Sequence, residues 1–213
     1  MKYEGIIFDL DGVICFTDEY HYQAWKILTD KLGICFDRKI NDRLRGVSRM
    51  ESLEIILEHA DKAYTEEQKK AFVEEKNRCY RELLHNISER DLSDEVRETL
   101  AALRAKGLKL AIGSSSKNAG FILERIGLGD FFDAVSDGNN IVHSKPDPEV
   151  FVKAAEFLGL SADNCLVVED AEAGLEAALA GGMDCAAIGP AALSGLATYR
   201  LGTFSDLLKV GDA

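Results

Sequence analysis

From about residue 93, short apolar runs alternate with stretches that carry apolar residues every three or four positions. The run 165–168 is typical of a buried strand, and the spacing of Val96, Leu100 and Leu103 is typical of a helix. We expect strands at 3–8, 108–112, 131–136, 165–168 and 184–188, and helices at 94–105, 117–126, 148–158 and 171–180. Because strands joined by helices form right-handed βαβ units, the pattern predicts a doubly wound, Rossmann-like α/β fold with a parallel-sheet core.

The segment 18–88 interrupts this alternation, because it shows helical spacing and no convincing strand. Helices are expected at 19–32, 50–59 and 65–84. A helical block inserted after the first strand of an α/β sheet is best interpreted as a cap domain. We therefore predict an α/β core formed by residues 1–16 and 89–213, and an inserted helical cap domain formed by residues 17–88.

The amino-acid composition argues against several classes of binding partner. The 213 residues include 37 acidic and 25 basic side chains, and the net charge of −12 repels nucleic acid and anionic membranes. No segment reaches the roughly 18 apolar residues of a transmembrane helix, and the N-terminus lacks the apolar block of a signal peptide. The five cysteines form no CxxC pair, so we expect reduced thiols. These features predict a cytoplasmic protein that binds neither nucleic acid nor membranes.

Polar residues follow the predicted strands where each one ends. The first strand is followed by Asp9 and Asp11, whose spacing places both carboxylates on one face of an extended chain. The other positions are Ser114 after the second strand, Lys145 in the loop after the third, and Glu169 and Asp170 after the fourth. Because parallel sheets bind ligands at the carboxyl ends of their strands, we expect these side chains to form one Mg²⁺ and phosphate site.

Phosphoryl-transfer chemistry gives the carboxylates distinct roles. Asp9 and Asp170, with Glu169 nearby and a main-chain carbonyl near Asp11, supply the hard oxygen ligands that Mg²⁺ prefers. The metal would screen the repulsion between Asp9 and a phosphate, so that this carboxylate can attack phosphorus. Asp11 would then protonate the leaving oxygen and later deprotonate the next nucleophile.

Each of these features has a structural explanation when it is taken alone. Asp11-Gly12 is also typical of a turn, Ser114 of a helix N-cap, Lys145 of a solvated loop and Glu169-Asp170 of a helix cap. Their coincidence at consecutive strand ends favours a site. In that site Ser114 and Lys145 would neutralise and orient the transferring oxygens.

Over nearly its whole length the chain resembles the haloacid dehalogenase superfamily, in FDLDGV (8–13), Ser114 at a strand end, SKPDPE (144–149) and VVEDAEAG (167–174). Within the superfamily it is similar to the β-phosphoglucomutase family, in DEYHYQAW (18–25), LRGVSRMESL (44–53), EEKN (74–77) and SSSKN (114–118). The resemblance implies a monomeric, Mg²⁺-dependent enzyme that acts through an aspartyl-phosphate. Its substrate would be a small sugar phosphate, with β-glucose 1-phosphate and glucose 6-phosphate interconverted through the 1,6-bisphosphate.

Two alternatives accompany this interpretation. A phosphatase of small sugar phosphates or other phosphate esters also begins with an aspartyl-phosphate, so the four motifs do not separate it from a mutase. At the expected hinges Phe16 replaces the family's aspartate and DLSDEV (91–96) replaces its proline–glycine turn, and both changes bear on how the cap excludes water. A signalling receiver domain fits less well, because its acceptor aspartate is not on the first strand and it has no helical cap.

A mutase must bind a bisphosphate and therefore needs a second phosphate site. The candidates on the cap are Gly46 and Val47, whose N–H groups would face an anion at a helix start, and Arg49, which would bind it in a fork. Ser116-Lys117-Asn118 is expected at the start of the next core helix, facing the same cleft. The resemblance implies these same roles, whereas Arg49 taken alone also fits a surface salt bridge.

Further candidates lie on the predicted cap helices. The resemblance implies that His21 couples cap closure to Asp11, and a partly buried helix histidine is the alternative. Thr17 would be a hinge residue or a helix N-cap. Lys76 would reach the cleft or cover a helix face, and Trp25 would pack against the substrate loop or into the core.

Overall fold

A computed structural model describes residues 2–211 of the chain. The strands are β1 (Gly5–Phe8), β2 (Lys109–Gly113), β3 (Ala134–Ser136), β4 (Cys165–Glu169), β5 (Asp184–Ala187) and β6 (Tyr199–Arg200). The α-helices are α1 (Asp18–Leu32), α2 (Arg38–Asp42), α3 (Arg49–Leu57), α4 (Glu66–Leu84), α5 (Asp94–Ala105), α6 (Ala119–Arg125), α7 (Glu149–Leu158) and α8 (Glu172–Ala180).

The strands form one parallel sheet of six strands in the order β3-β2-β1-β4-β5-β6. Strand β1 lies between β2 and β4, and its Gly5 is in register with Lys109 on one side and Cys165 on the other. Strands β2 and β3 follow β1 on one side of the sheet, and strands β4, β5 and β6 follow it on the other. This change of side opens a crevice at the carboxyl ends of β1 and β4. The predicted α/β fold with a parallel-sheet core is confirmed.

Apolar side chains of β1 alternate between the two faces of the sheet. Ile6 and Phe8 pack into the cluster that contains α5 and α6, whereas Ile7 packs with Phe151 of α7 and Val167 of β4. A strand that is buried on both faces is typical of a parallel sheet with helices on each side. This burial fixes the position at which β1 ends, and therefore fixes where Asp9 emerges.

Helices α1–α4 form the helical cap and carry an apolar cluster of their own, which includes Trp25, Leu28, Leu53 and Ile56. Helix α3 begins after Ser48, whose side chain accepts a hydrogen bond from the N–H of Glu51 while the Glu51 carboxylate accepts one from the N–H of Ser48. The precise domain limits at 16/17 and 88/89 stay a prediction.

Strand β6 and helix α2 were not among the predicted elements, and two differences in element boundaries have a cause that the structure shows. Residues 131–133 are not part of β3, because the Asp133 side chain accepts from the N–H of Leu110 and Arg104 donates to the carbonyl of Phe131. The main-chain N–H of Asp133 also donates to the carbonyl of Leu110, at 2.8 Å, so the segment stays attached to β2 without continuing the strand. Helix α6 begins at Ala119 rather than near 117, because the Ser116 hydroxyl accepts from the N–H of Asn118 and holds this segment in a turn.

All five cysteines are free thiols. Within residues 2–211, none of the helices combines the length and apolar character that crossing a bilayer requires.

Candidate active site

The carboxyl ends of β1 and β4 bring a buried lysine between two carboxylates. Lys145 is fully buried and its Nζ donates to Asp9 Oδ1 at 2.5 Å and to Glu169 Oε1 at 2.7 Å. The two carboxylates raise the pKa of Lys145 against the opposing effect of burial, so the ammonium stays charged. The predicted proximity of the first strand, the fourth strand and the SKPDPE loop is therefore observed.

Asp9, Glu169 and Asp170 form a compact carboxylate cluster whose ligand oxygens lie within 4.8 Å of one another. Burial raises the pKa of Asp9 to about 7, with Lys145 opposing the rise, and burial together with Glu169 raises that of Asp170 to about 8. Carboxylates that are crowded and shielded from water favour a compensating cation. Hard oxygen donors at this separation fit a divalent ion such as Mg²⁺.

Glycines make room for this cluster. A Cβ on Gly12, whose φ is +93°, would lie 2.2 Å from Asp170 Oδ2, and one on Gly174 would lie 1.8 Å from Glu169 Oε1. The second oxygen of Glu169 accepts from the N–H groups of Asp170 and Ala171 at 2.6 and 3.0 Å. Glu169 is thus held on both oxygens by the protein, whereas Asp9 and Asp170 keep oxygens free for a ligand.

Asp11 lies beside the cluster and does not belong to it. The hydroxyl of Thr17, which is completely buried, donates to Asp11 Oδ1. Burial, with a smaller contribution from Asp9, raises the pKa of Asp11 to about 8. A raised pKa favours the protonated form of Asp11, which a group that protonates a leaving oxygen requires.

On the cap side, Lys76 and His21 form a buried pair. Lys76 Nζ lies 2.9 Å from His21 Nδ1 and 5.1 Å from the centroid of the Trp25 ring. Burial holds the pKa of both groups well below their usual range, and the charges of Lys76 and Arg49 add to this effect at His21. Trp25 lies in the apolar cluster of the cap and also lines the cavity, and its packing against a substrate loop stays a prediction.

Arg49 and Lys117 face the same cavity without a side-chain partner. Neither side chain forms a hydrogen bond or ion pair with any residue between 2 and 211. The main-chain N–H groups of Gly46 and Val47 are likewise unpaired within that range. A salt bridge on the helix surface, the alternative for Arg49, is not observed.

The expected helix N-terminus at Gly46-Val47-Ser48 is wrong in one respect. Helix α3 begins later, at Arg49, and its capping box already occupies the N–H groups of Ser48 and Glu51. The free N–H groups belong to the loop before the helix. Ser116-Lys117-Asn118 likewise precedes α6 rather than starting it, and Asn118 Nδ2 donates to Asn77 Oδ1 of α4 at 3.0 Å.

The cap loop touches the core directly. The Ser115 hydroxyl donates to the carbonyl of Gly46 at 3.0 Å, and a Cβ on Gly46 would lie 3.7 Å from the Cβ of Ala171. Core and cap together enclose a cavity of about 380 Å³, lined by residues that include Asp9, Asp11, Arg49, Lys76, Ser114 and Lys117. This volume lies in the range of small-molecule sites.

Arg45 is a site residue that the sequence analysis missed. Its Nη1 donates to Asp170 Oδ2 at 2.9 Å, and its Nη2 pairs with Asp18. In the sequence it is a basic residue next to Gly46, which was a candidate for binding the second phosphate. Nothing in the local pattern indicates a contact with a carboxylate 125 positions away.

The model of the haloacid dehalogenase-like hydrolase family matches residues 3–182 of the chain. The chain belongs to this family. Over 188 aligned residues it is 41% identical to the β-phosphoglucomutase of Bacillus subtilis, and the alignment covers 87% of this chain and 83% of that protein. The crystal structure of β-phosphoglucomutase from Clostridium difficile is 37% identical, with a TM-score of 0.91 over 96% of this chain and 93% of that one.

Phosphatases of the family are also similar. The phosphorylated carbohydrates phosphatase of Thermotoga maritima is 32% identical over 184 residues, covering 85% of this chain and 82% of that protein. The fructose-1-phosphate phosphatase of Escherichia coli is also 32% identical over 184 residues, covering 86% of this chain and 95% of that protein.

Proposed function

We propose that this enzyme interconverts β-glucose 1-phosphate and glucose 6-phosphate through the 1,6-bisphosphate. The observation that carries the proposal is that one cavity is lined both by Asp9, which is paired with Lys145, and by two cations, Arg49 and Lys117, that form no ion pair with any residue between 2 and 211. A bisphosphate needs two phosphate sites, and these two groups supply the second. The similarity to two β-phosphoglucomutases supports the same substrate.

Asp9 is the proposed nucleophile. Its Oδ1 is held by Lys145, so the other oxygen can attack phosphorus while the bond from phosphorus to the sugar oxygen breaks. Asp11 gives its proton to that sugar oxygen. In the return half, Asp11 takes the proton of the second hydroxyl, which then attacks the phosphorus of the aspartyl-phosphate.

Lys145 and Ser114 would carry the electrostatic part of this transfer. Ser114 is buried directly after β2, and Lys145 is buried in the loop after β3, where it donates to Asp9; fixed donors in these positions interact with charge that develops on the phosphoryl oxygens. Asp9 and Asp170, with Glu169 behind them and a main-chain carbonyl near Asp11, would hold Mg²⁺. When bound, the ion would reduce the repulsion between the attacking carboxylate and the phosphate.

The cap residues would bind the sugar and its distal phosphate. Arg49 would bind the phosphate together with the N–H groups of Gly46 and Val47, and Ser116, Lys117 and Asn118 would bind it from the core side. Lys76, which lies 2.9 Å from His21, lines the cavity beside Trp25 and would donate to sugar oxygens, whereas Thr17 is completely buried behind the cavity wall. The monomeric state and the cytoplasmic location stay predictions.

A phosphatase of small sugar phosphates is the second candidate. It is favoured by the two phosphatases that are each 32% identical, and by Phe16, which is 75% exposed at the expected hinge where the mutases carry an aspartate. In such an enzyme water, rather than a second hydroxyl, attacks the aspartyl-phosphate.

One incubation separates the two candidates. The protein is supplied with β-glucose 1-phosphate, Mg²⁺ and a trace of the 1,6-bisphosphate, and glucose 6-phosphate and free phosphate are quantified separately. A mutase forms glucose 6-phosphate in large excess over phosphate. If phosphate is released faster than glucose 6-phosphate appears, the mutase proposal is wrong.

A further inference from the structure

Tyr80 of α4 is a buried side chain that the proposed mechanism leaves unused. It is 1% exposed, and its hydroxyl has no hydrogen-bond partner among residues 2–211. A buried hydroxyl without a partner destabilises a fold, because it has given up its bonds to water. A phenylalanine would fill the same space without that penalty, so packing alone does not explain the hydroxyl.

The surroundings of Tyr80 place it at the centre of the acid–base side of the site. Its ring centroid lies 4.0 Å from that of His21 and 4.5 Å from Lys76 Nζ, and the residue lines the same cavity as Asp11. The side chain of Thr17 and the charge of Asp11 are close enough to the Tyr80 phenol to affect its pKa, as are Cys15 and Arg49. Burial raises the pKa of Tyr80 well above its usual range, so the phenol keeps its proton and can donate.

Thr17 connects this donor to the catalytic carboxylate. The Thr17 hydroxyl uses its own proton to donate to Asp11 Oδ1, which leaves its lone pairs available to accept. Thr17 is completely buried, so water does not reach those lone pairs from outside the protein. The phenol of Tyr80 is the neighbouring buried donor that lacks an acceptor.

We propose that the Tyr80 hydroxyl positions Asp11 by donating to Thr17, so that Tyr80, Thr17 and Asp11 form a chain of hydrogen bonds in the working enzyme. Because hydrogen bonds in a chain polarise one another, the phenol strengthens the bond from Thr17 to Asp11 Oδ1. Oδ1 is thereby fixed, and the other oxygen of Asp11 faces the leaving group. Tyr80 is a positioning residue for proton transfer, and this inference rests on the proposed role of Asp11.

The test compares Tyr80→Phe with the parent under saturating β-glucose 1-phosphate, Mg²⁺ and bisphosphate, with glucose 6-phosphate and free phosphate followed separately. We expect kcat to fall about tenfold with KM unchanged, since positioning affects the transition state rather than substrate binding. The thermal midpoint of the unliganded protein should stay equal or rise, because in that state the Tyr80 hydroxyl has no hydrogen-bond partner among residues 2–211. Tyr64→Phe, a cap tyrosine that packs on Phe72, is the matched control and should leave all three values unchanged.

A second variant shows whether the effect passes through Thr17. Once Thr17→Val has removed the link, Tyr80→Phe should have almost no further effect on kcat. An unchanged kcat, a rise in KM alone or a fall in the thermal midpoint of Tyr80→Phe would overturn the proposal. So would a double variant whose reduction in kcat equals the product of the two single reductions. If the parent only releases phosphate, the mutase proposal fails, and the same comparison is then made on the rate of phosphate release.

Discussion

The core and cap halves of the site balance their charges in different ways. In the core half Lys145 is shared by Asp9 and Glu169, and Asp170 is paired with Arg45. In the cap half Lys76 faces a neutral imidazole and Arg49 has no ion-pair partner among residues 2–211, which also holds for Lys117 on the core side of the same cavity. The core half is thus assembled before substrate arrives, whereas the cap half has positive charge that an anionic ligand would balance.

The largest effect is expected where the core half does chemistry. Asp9→Asn keeps the shape of the side chain but removes the nucleophilic charge, so turnover of β-glucose 1-phosphate should fall by at least about 10⁴-fold. Acid-quenched protein should also contain no acyl-phosphate on this variant. Asp61→Asn, at an exposed position of the cap, is the matched control. A variant at position 9 that turns over at the parent's rate would refute the aspartyl-phosphate scheme.

Lys145 tests whether the core half is stabilised by its own charge pairs. Lys145→Met leaves Asp9 and Glu169 buried without their cation, and the free energy of unfolding should fall by about 3 to 5 kcal/mol. Mg²⁺ should restore part of the loss in urea titrations, because it binds the folded site. Lys153→Met removes a more exposed pair with Glu149 and should change stability by less than about 1 kcal/mol. Equal losses in the two variants would contradict this account.

Arg49 tests the opposite property of the cap half. Arg49→Ala should reduce isomerisation about 100-fold, because the distal phosphate loses a charge-assisted donor, while phosphate release changes little. The stability of the unliganded protein should not fall, since no ion pair is broken. Arg78→Ala, at an exposed position of α4, is the control. If isomerisation persists at the parent's rate, Arg49 does not bind the second phosphate.

The contrast between the halves also explains which features the sequence predicted. The core site follows from local pattern, because Asp9, Ser114 and Glu169-Asp170 stand directly at strand ends and parallel strands must place their carboxyl ends together. Lys145 could be assigned to that edge, but its position between two carboxylates could not. A loop conformation, rather than a repeating pattern, determines where its ammonium lies.

The cap half was less predictable, because its geometry depends on how two separate segments meet. Arg49 and Lys117 were found through the resemblance, while Arg45 and Tyr80 were missed. Arg45 pairs with residues that lie 27 positions before it and 125 positions after it. Tyr80 drew no attention in the sequence, and in the structure its ring packs in the core cluster like an ordinary apolar residue of α4. A buried hydroxyl without a hydrogen-bond partner can be identified only from the three-dimensional structure.

Arg45 joins the two halves, and its removal is expected to have the smallest effect. Arg45→Ala breaks the contact between the cap loop and Asp170, so the closed cap should open more often and admit water to the aspartyl-phosphate. We expect the ratio of released phosphate to glucose 6-phosphate to rise about threefold, equivalent to less than about 1 kcal/mol. Arg43→Ala is the matched control, because Arg43 pairs with Glu58 inside the cap and leaves the cap–core contact intact. A product ratio that rises equally in both variants would show that the loop's charge, rather than the link from Arg45 to Asp170, controls the access of water.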